Sequence, residues 1–263
     1  MGETTAVDPA IAKMPRGGPN ASRLDRRLQT DALEYTDRYD IPDEVKQRVI
    51  TALDWVGTRT GQHEKNARIA LQLVASTPNP CILELGAGHG KLSAKILDLH
   101  PTATVTISDL DPTSVAKISA DELGANPRVR TQVVDATAID AANGSYDLVV
   151  FAQAFHHLPP ATAYRAIAEA TRVGKRFLVI DLKRRSPLGL ILTPLVMAPV
   201  ALVPQLRPLM HDGFISGLRA YSSPAFVALG QAAYPQMRIE FLPSTSWFGP
   251  TSHVVVFSRA AQS

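Results

Sequence analysis

Residues 84–90 read Glu-Leu-Gly-Ala-Gly-His-Gly, an acid followed by three glycines that alternate with other residues. Glycines in that rhythm let the backbone turn sharply and let a ligand approach without a Cβ in the way. Further groups follow at intervals: Asp109 with Leu110, Asp135 with Ala136, and the run Gln153-Ala154-Phe155-His156-His157-Leu158. A carboxylate at 109 can accept both hydroxyls of a ribose. One at 135 can accept the amino group of an adenine, with the Ala136 amide nearby. The histidine pair offers proton exchange close to neutral pH. Any one of these features has an ordinary structural explanation: a tight turn, a loop acid or a helix cap such as Asp111 before Pro112. Their joint placement carries the signal.

That placement depends on the elements around them. Residues 81–85, 104–108, 129–134, 146–152 and 176–182 are short apolar strand patterns. Helical patterns at 91–99, 112–123 and 161–173 alternate with them. Such alternation predicts a mostly parallel sheet with helices on both faces. The glycine loop and both acids then fall at successive carboxyl ends of strands, where open α/β sheets bind ligands. The end of the chain differs. A helix over 223–233 precedes strands at 237–242 and 253–258, which have no helix between them and are expected to pair as an antiparallel hairpin. Before the sheet, helices over 42–57 and 62–75 form an N-terminal cap. The expected organisation is a disordered arm over 1–22, a helical cap over 23–77 and a ligand-binding domain over 78–263, with an insert at about 183–221.

On these residues the chain resembles the class I SAM-dependent methyltransferases, in particular the group related to ubiquinone/menaquinone C-methyltransferases. The resemblance covers about residues 79–181 and fades before 79 and between 183 and 215. It implies a Rossmann-like seven-stranded sheet with an antiparallel terminal hairpin, and S-adenosyl-L-methionine (SAM) as cofactor. It further implies that Glu84, Gly86, Ala87, Gly88 and Gly90 face the methionyl part, that Asp109 and Leu110 lie at the ribose, that Asp135 and Ala136 lie at the adenine, and that Gln153 touches the cofactor. A dinucleotide-dependent dehydrogenase would carry G-x-G-x-x-G, whereas Gly86, Gly88 and Gly90 give G-x-G-x-G. One of His156 and His157 is expected to be the base that takes a proton from the acceptor, and the sequence does not choose between them.

Composition narrows the class of partner. The 263 residues carry 27 basic and 24 acidic side chains, a net charge of +3, with 45% hydrophobic residues. So small an excess, without a basic stripe, gives no expectation of nucleic-acid binding; the arginines between 16 and 27 are interrupted and read as a solvated arm. Cys81 is the single cysteine, which excludes an intrachain disulfide or a cysteine zinc cluster and is expected to be buried. Residues 1–19 lack the apolar core of a signal peptide, so a cytoplasmic location is expected.

Residues 187–204 contain no charge but are interrupted by Pro187, Pro194, Pro199 and Pro204. That pattern predicts broken helical pieces covering an apolar pocket, meeting a membrane surface or joining two copies of the chain. The acceptor is accordingly expected to be a small hydrophobic molecule (phenolic, quinone-like or lipid), methylated on oxygen or carbon. Asp181, His211, Arg219 and Tyr221 are candidate substrate contacts, with Lys183 and Arg184 nearby. Asp181 could equally pair with an arginine. His211-Asp212 reads as a polar loop rather than a metal-ligand pair, and no metal is expected. Tyr35 and Tyr39 are candidates to close over the cofactor, and Trp247-Phe248 to form a pocket wall or dimer contact. Two alternatives remain at this stage: a catalytically silent SAM-binding partner protein, and another transferase of the same fold.

Overall fold

The computed structural model describes residues 9–38, 40–197, 207–243 and 252–259. They form a seven-stranded sheet in the order β3-β2-β1-β4-β5-β7-β6, made of β1 (Cys81–Leu85), β2 (Thr104–Asp109), β3 (Val129–Val133), β4 (Leu148–Ala152), β5 (Phe177–Leu182), β6 (Arg238–Leu242) and β7 (Ser252–Ser258). The first five strands run parallel, and β7 is antiparallel to both β5 and β6. Strands β1, β4 and β5 are near-continuous apolar runs because helices cover both their faces. Edge strand β3, Val-Arg-Thr-Gln-Val, is only partly covered. The order reverses between β1 and β4, which opens a crevice at their carboxyl ends.

One face of the sheet packs against α4 (Gln62–Leu73), α5 (Lys91–Leu99) and α6 (Pro112–Ala120), with Ala67, Ala70, Ile96 and Ile118 in the seam. The other packs against α7 (Pro160–Val173) and α10 (Ser223–Ala233), around Phe155, Ile167, Phe226 and Phe257. Asp111 caps α6 by accepting from the Thr113 amide at 3.2 Å, with Pro112 at the first helical position, as the sequence indicates. The long helix α3 (Asp43–Arg59) lies over the glycine loop instead of on the sheet.

Several expectations need correction. Residues 9–22 are not a solvated arm: Met14 and Arg16 are buried, and short helices α1 (Pro9–Ala12) and α2 (Arg23–Arg27) flank them. The Arg16 Nη1 donates to His156 O at 2.8 Å and also to Arg219 O, and its guanidinium lies 4.8 Å from the Tyr221 ring centre. A buried guanidinium must satisfy its donors, and carbonyls from distant segments do so here. Residues 28–38, within the expected helical cap over 23–77, are not helical but run extended into a 3₁₀ turn at Tyr35–Asp37. Cys81 is only partly buried, because it opens β1 at the rim of the sheet.

The apolar insert also differs. Pro187 begins α8 (Pro187–Met197) and Pro194 lies inside it without ending it. Pro194 costs α8 the one hydrogen bond its N–H would have given to the Leu190 carbonyl. Residues 211 and 212 belong to α9 (Arg207–Arg219), not to a loop. Pro199, Pro204, Tyr39, Trp247 and Phe248 lie outside the described residues. No helix among the described residues is long and apolar enough to cross a membrane.

Candidate active site

The cofactor side is built from contiguous strand ends. Gly86, Gly88 and Gly90 all take positive φ, 61°, 57° and 71°, a conformation that disfavours side chains. Glu84, buried at the end of β1, accepts from the Ser93 amide at 3.1 Å and from the Ser93 hydroxyl. Burial pushes its carboxyl up to about 7, against the Ser93 hydrogen bonds and with added repulsion from Asp109 and Asp54. Asp109 accepts from the Gly88 amide at 2.8 Å on one oxygen and from the Asp111 amide at 2.9 Å on the other. Each oxygen keeps a further lone pair for a ligand. Burial raises the Asp109 carboxyl, and those amide bonds oppose it. Leu110 beside it is exposed. Asp135 is exposed and accepts from the Thr137 amide and hydroxyl, both at 2.8 Å, with Ala136 partly buried beneath. Gln153 has φ 58°, unusual for a residue with a side chain, and leaves β4 with its side chain exposed.

His89, inside the glycine loop, went unread in the sequence. Its Nδ1 contacts Asp54 Oδ2 and its Nε2 contacts Gln47 Oε1, each at 2.7 Å. Gln47 and Asp54 are seven residues apart, two turns along one face of α3. That helix is thereby fastened over the loop.

The other side is gathered from four distant stretches of chain. Phe155 is fully buried and meets Phe151 and Tyr221 ring to ring at 5.8 Å, which pins the 3₁₀ turn Phe155–His157 and turns the two histidines away from the core. His156 Nδ1 lies 2.7 Å from Asp181 Oδ1, and the His156 amide donates to Asp181 Oδ2 at 2.6 Å. Its Nε2 lies 3.4 Å from Glu34 Oε1. His157 Nδ1 lies 2.7 Å from Asp37 Oδ1, and its Nε2 lies 3.8 Å from Glu34 Oε2. Burial would pull the His156 pKa down, but Asp181 and then Glu34 outweigh it and push it up to about 10. At neutral pH this imidazole therefore carries its proton and is a poor general base by itself. Burial raises the Glu34 and Asp37 carboxyls, yet the neighbouring histidines, with Arg219 at Asp37, hold both below the ordinary range.

Arg219 and Asp181 join this cluster, whereas His211 and Tyr221 stand beside it. Arg219 donates to Asp37 and, at 2.5 Å, to His157 O. Asp181 pairs with His156, not with an arginine; Arg184 instead holds Asp25, Nε to Oδ1 2.9 Å. Lys183 is exposed. His211 is exposed, 2.9 Å from Asp212 and edge-on to Tyr35. Tyr221 is a core residue whose hydroxyl donates to Leu158 O at 2.7 Å, and it supports the histidine turn from below. Glu34, Asp37 and Ser216 were missed, since no motif marks them; Ser216 donates to Glu34 at 2.9 Å.

A model of the family described as "Methyltransferase domain" matches residues 82–176, the stretch from β1 up to the start of β5 that holds the glycine loop, both acids and the histidine pair. The chain carries a methyltransferase domain. It is a SAM-dependent domain of class I topology, and the strand-end acids and glycine loop fit S-adenosyl-L-methionine as its cofactor. Among curated relatives, malonyl-[acyl-carrier protein] O-methyltransferase of Geobacter sulfurreducens is 35% identical over 123 residues, 46% of this chain and 45% of that one. Ribosomal RNA small subunit methyltransferase C of Pseudomonas entomophila is 32% identical over 134 residues, 51% of this chain and 40% of that one. The chain thus spans less than half the length of the curated relatives it matches. A plantazolicin methyltransferase, solved with a monoazolic desmethyl analogue and SAH, shares the fold of the methyltransferase domain at a TM-score of 0.61 and 11% identity, over 83% of this chain and 91% of that one.

Proposed function

We propose that the protein transfers the methyl group of SAM to a small hydrophobic acceptor, of phenolic, quinone-like or lipid type, on oxygen or carbon. Its resemblance to the ubiquinone/menaquinone C-methyltransferase group supports the quinone-like end of that range. The observation that carries the reading is the histidine–carboxylate cluster, set directly after β4 and roofed by α9, whose neighbour α8 exposes Leu188, Ile191, Leu192 and Leu195. Methyl transfer needs an acceptor held in line with the sulfonium methyl and shielded from water. Glu84, Asp109, Asp135 and the amides of the glycine loop would hold the cofactor, which supplies an electrophilic methyl when bound. The acceptor's proton is lost at the histidine cluster, where Asp181 and Asp37 fix the two rings. His157 is the member that reaches solvent, so it is the one that meets the acceptor. The apolar face of α8 suits an acceptor delivered from a membrane surface, and it equally suits contact between two copies of the chain.

The test is a methyl-transfer screen across phenols, quinols and lipids, run with and without lipid vesicles. Turnover of an apolar acceptor that is lost in His157→Ala supports the reading. SAM binding with no turnover on any acceptor would favour a silent SAM-binding partner protein. Turnover of RNA or protein alone would overturn the small-molecule assignment.

A further inference from the structure

We propose that Glu34, His156 and His157 form a binding site for one divalent transition-metal ion of the zinc kind. Among the described residues these three bring one ligand atom each to within 4.8 Å of one another. The separations suit ligands that share an ion. His156 Nε2 to Glu34 Oε1 is 3.4 Å and His157 Nε2 to Glu34 Oε2 is 3.8 Å, longer than the roughly 2.8 Å of a charge-assisted hydrogen bond. Donors about 2.1 Å from a tetrahedral ion lie roughly 3.4 Å apart. Two of the atoms involved, His156 Nε2 and Glu34 Oε1, are buried without a hydrogen-bond partner, on side chains that are each only 4% exposed. Such orphaned atoms call for a ligand.

The surroundings of the trio also match. In metal sites a ligating histidine hands its other ring N–H to a carboxylate, which fixes the tautomer and aims the free nitrogen at the ion. His156 has that partner, its Nδ1 hydrogen-bonded with Asp181 Oδ1 at 2.7 Å; His157 Nδ1 lies 2.7 Å from Asp37 Oδ1 as an ion-pair contact outside hydrogen-bond geometry. Both Nε2 atoms are left facing Glu34. Glu34, Asp37, Asp181 and Asp212 set four carboxylates at the cluster against Arg219, whose Nη1 pairs with Asp37 and lies 3.7 Å from Glu34 Oε1, and Arg16, which donates to His156 O; an ion would take the place of the His156 proton. Two imidazoles and one carboxylate suit zinc or a neighbouring transition metal over magnesium or calcium, which prefer oxygen donors. Three protein ligands leave a position open, which is the catalytic pattern. With the ion bound, His157 is its ligand and not a free base, and the ion's use there, as a Lewis acid that eases loss of a proton from an acceptor oxygen, rests on the proposed function; the binding does not.

The test uses the full chain without an affinity tag, stripped with a chelator and titrated with Zn²⁺ by calorimetry and with Co²⁺ by visible absorption, without SAM or acceptor. The expected result is one ion per chain, with the d–d bands of a low-symmetry, nitrogen-ligated cobalt. Affinity should fall at least 100-fold in Glu34→Gln and in His157→Gln, and about 10- to 100-fold in Asp181→Asn. His157 is partly exposed, so His157→Gln keeps the test valid if Glu34→Gln fails to fold, and thermal melts check both. No stoichiometric binding by the folded wild type, or binding unchanged in the variants, overturns the site. Ion binding without methyl transfer to apolar acceptors would leave the site standing and sink the proposed function. Methyl transfer indifferent to chelators, with no ion bound, would do the reverse.

Discussion

The two halves of the cleft are made in opposite ways. On the cofactor side, Glu84, the glycine loop, Asp109, Asp135 and Gln153 each sit at or just past the end of a strand, inside one stretch of 70 residues (84–153). Each is placed by its own strand and needs little from elsewhere. On the acceptor side, Glu34, Asp37, His156, His157, Asp181, Asp212, Ser216 and Arg219 come from the N-terminal segment, the turn after β4, the end of β5 and α9. Asp181 sits at its own strand end and Phe155 pins the histidine turn, but no single element brings the eight together. They are held by one another and by buried arginines: Arg16 on the carbonyls of His156 and Arg219, Arg184 on Asp25, Leu28 and Leu218, and Arg219 on Asp37 and His157. On the proposed assignment, the contrast teaches that cofactor binding would be a property of the sheet, whereas acceptor handling would depend on how the chain's distant segments close over it.

Three experiments try to break this division. The largest effect is expected at His157. His157→Ala should lower single-turnover methyl transfer by about 10²- to 10⁴-fold, while calorimetry shows SAM affinity within a few-fold of wild type. Equal losses in both readouts would merge the halves. Next is Asp25→Ala, which leaves the Arg184 guanidinium buried and unpaired. The expected cost is about 3–5 kcal/mol of stability, read from denaturant unfolding. A loss of less than about 1 kcal/mol would show that the N-terminal segment is not held by this pair.

The smallest effect is a pH dependence on the cofactor side. With its carboxyl pushed up to about 7, Glu84 gains charge between pH 6 and 8. If it accepts the ammonium of SAM, affinity should rise across that window by up to about 10-fold per pH unit, and Glu84→Gln should flatten the rise. Folding stability should move the other way. A carboxyl raised above its unfolded value favours the folded state while protonated, so that contribution fades as pH climbs through about 7. A wild-type affinity that is flat from pH 6 to 8 would remove Glu84 from the ammonium's partners.

The same contrast explains what could be read from the sequence. Strands β1 to β5 and their helices are legible because apolar runs alternate with helical periodicity, and the terminal hairpin because no helix separates β6 from β7. The glycine loop and Asp109 are legible because a local backbone need fixes their spacing. α9 was invisible for a physical reason: Asp212, Ser216 and Arg219, at helical spacing, are buried on its inner face. A helix that buries a polar stripe has no apolar period to detect. Arg16 reads as part of a solvated arm and Glu34 is not singled out, since charged side chains are seldom buried without partners, and the partners lie more than 100 residues away. Of the acceptor side, the histidine pair and the isolated candidates Asp181, Asp212 and Arg219 can be picked out, Asp212 only as part of a polar loop.

The measurement closest to the central claim is calorimetric titration of wild type and Asp109→Ala with SAM and with its demethylated product. Asp109 anchors the Gly88 amide and, in this account, both ribose hydroxyls, so its loss removes charge-assisted hydrogen bonds worth about 1.5–3 kcal/mol each. The account predicts that wild type binds both ligands and that the variant, still folded, binds each at least about 100-fold more weakly. Unchanged affinity in Asp109→Ala, or no binding by wild type, would contradict the assignment of these strand ends to SAM.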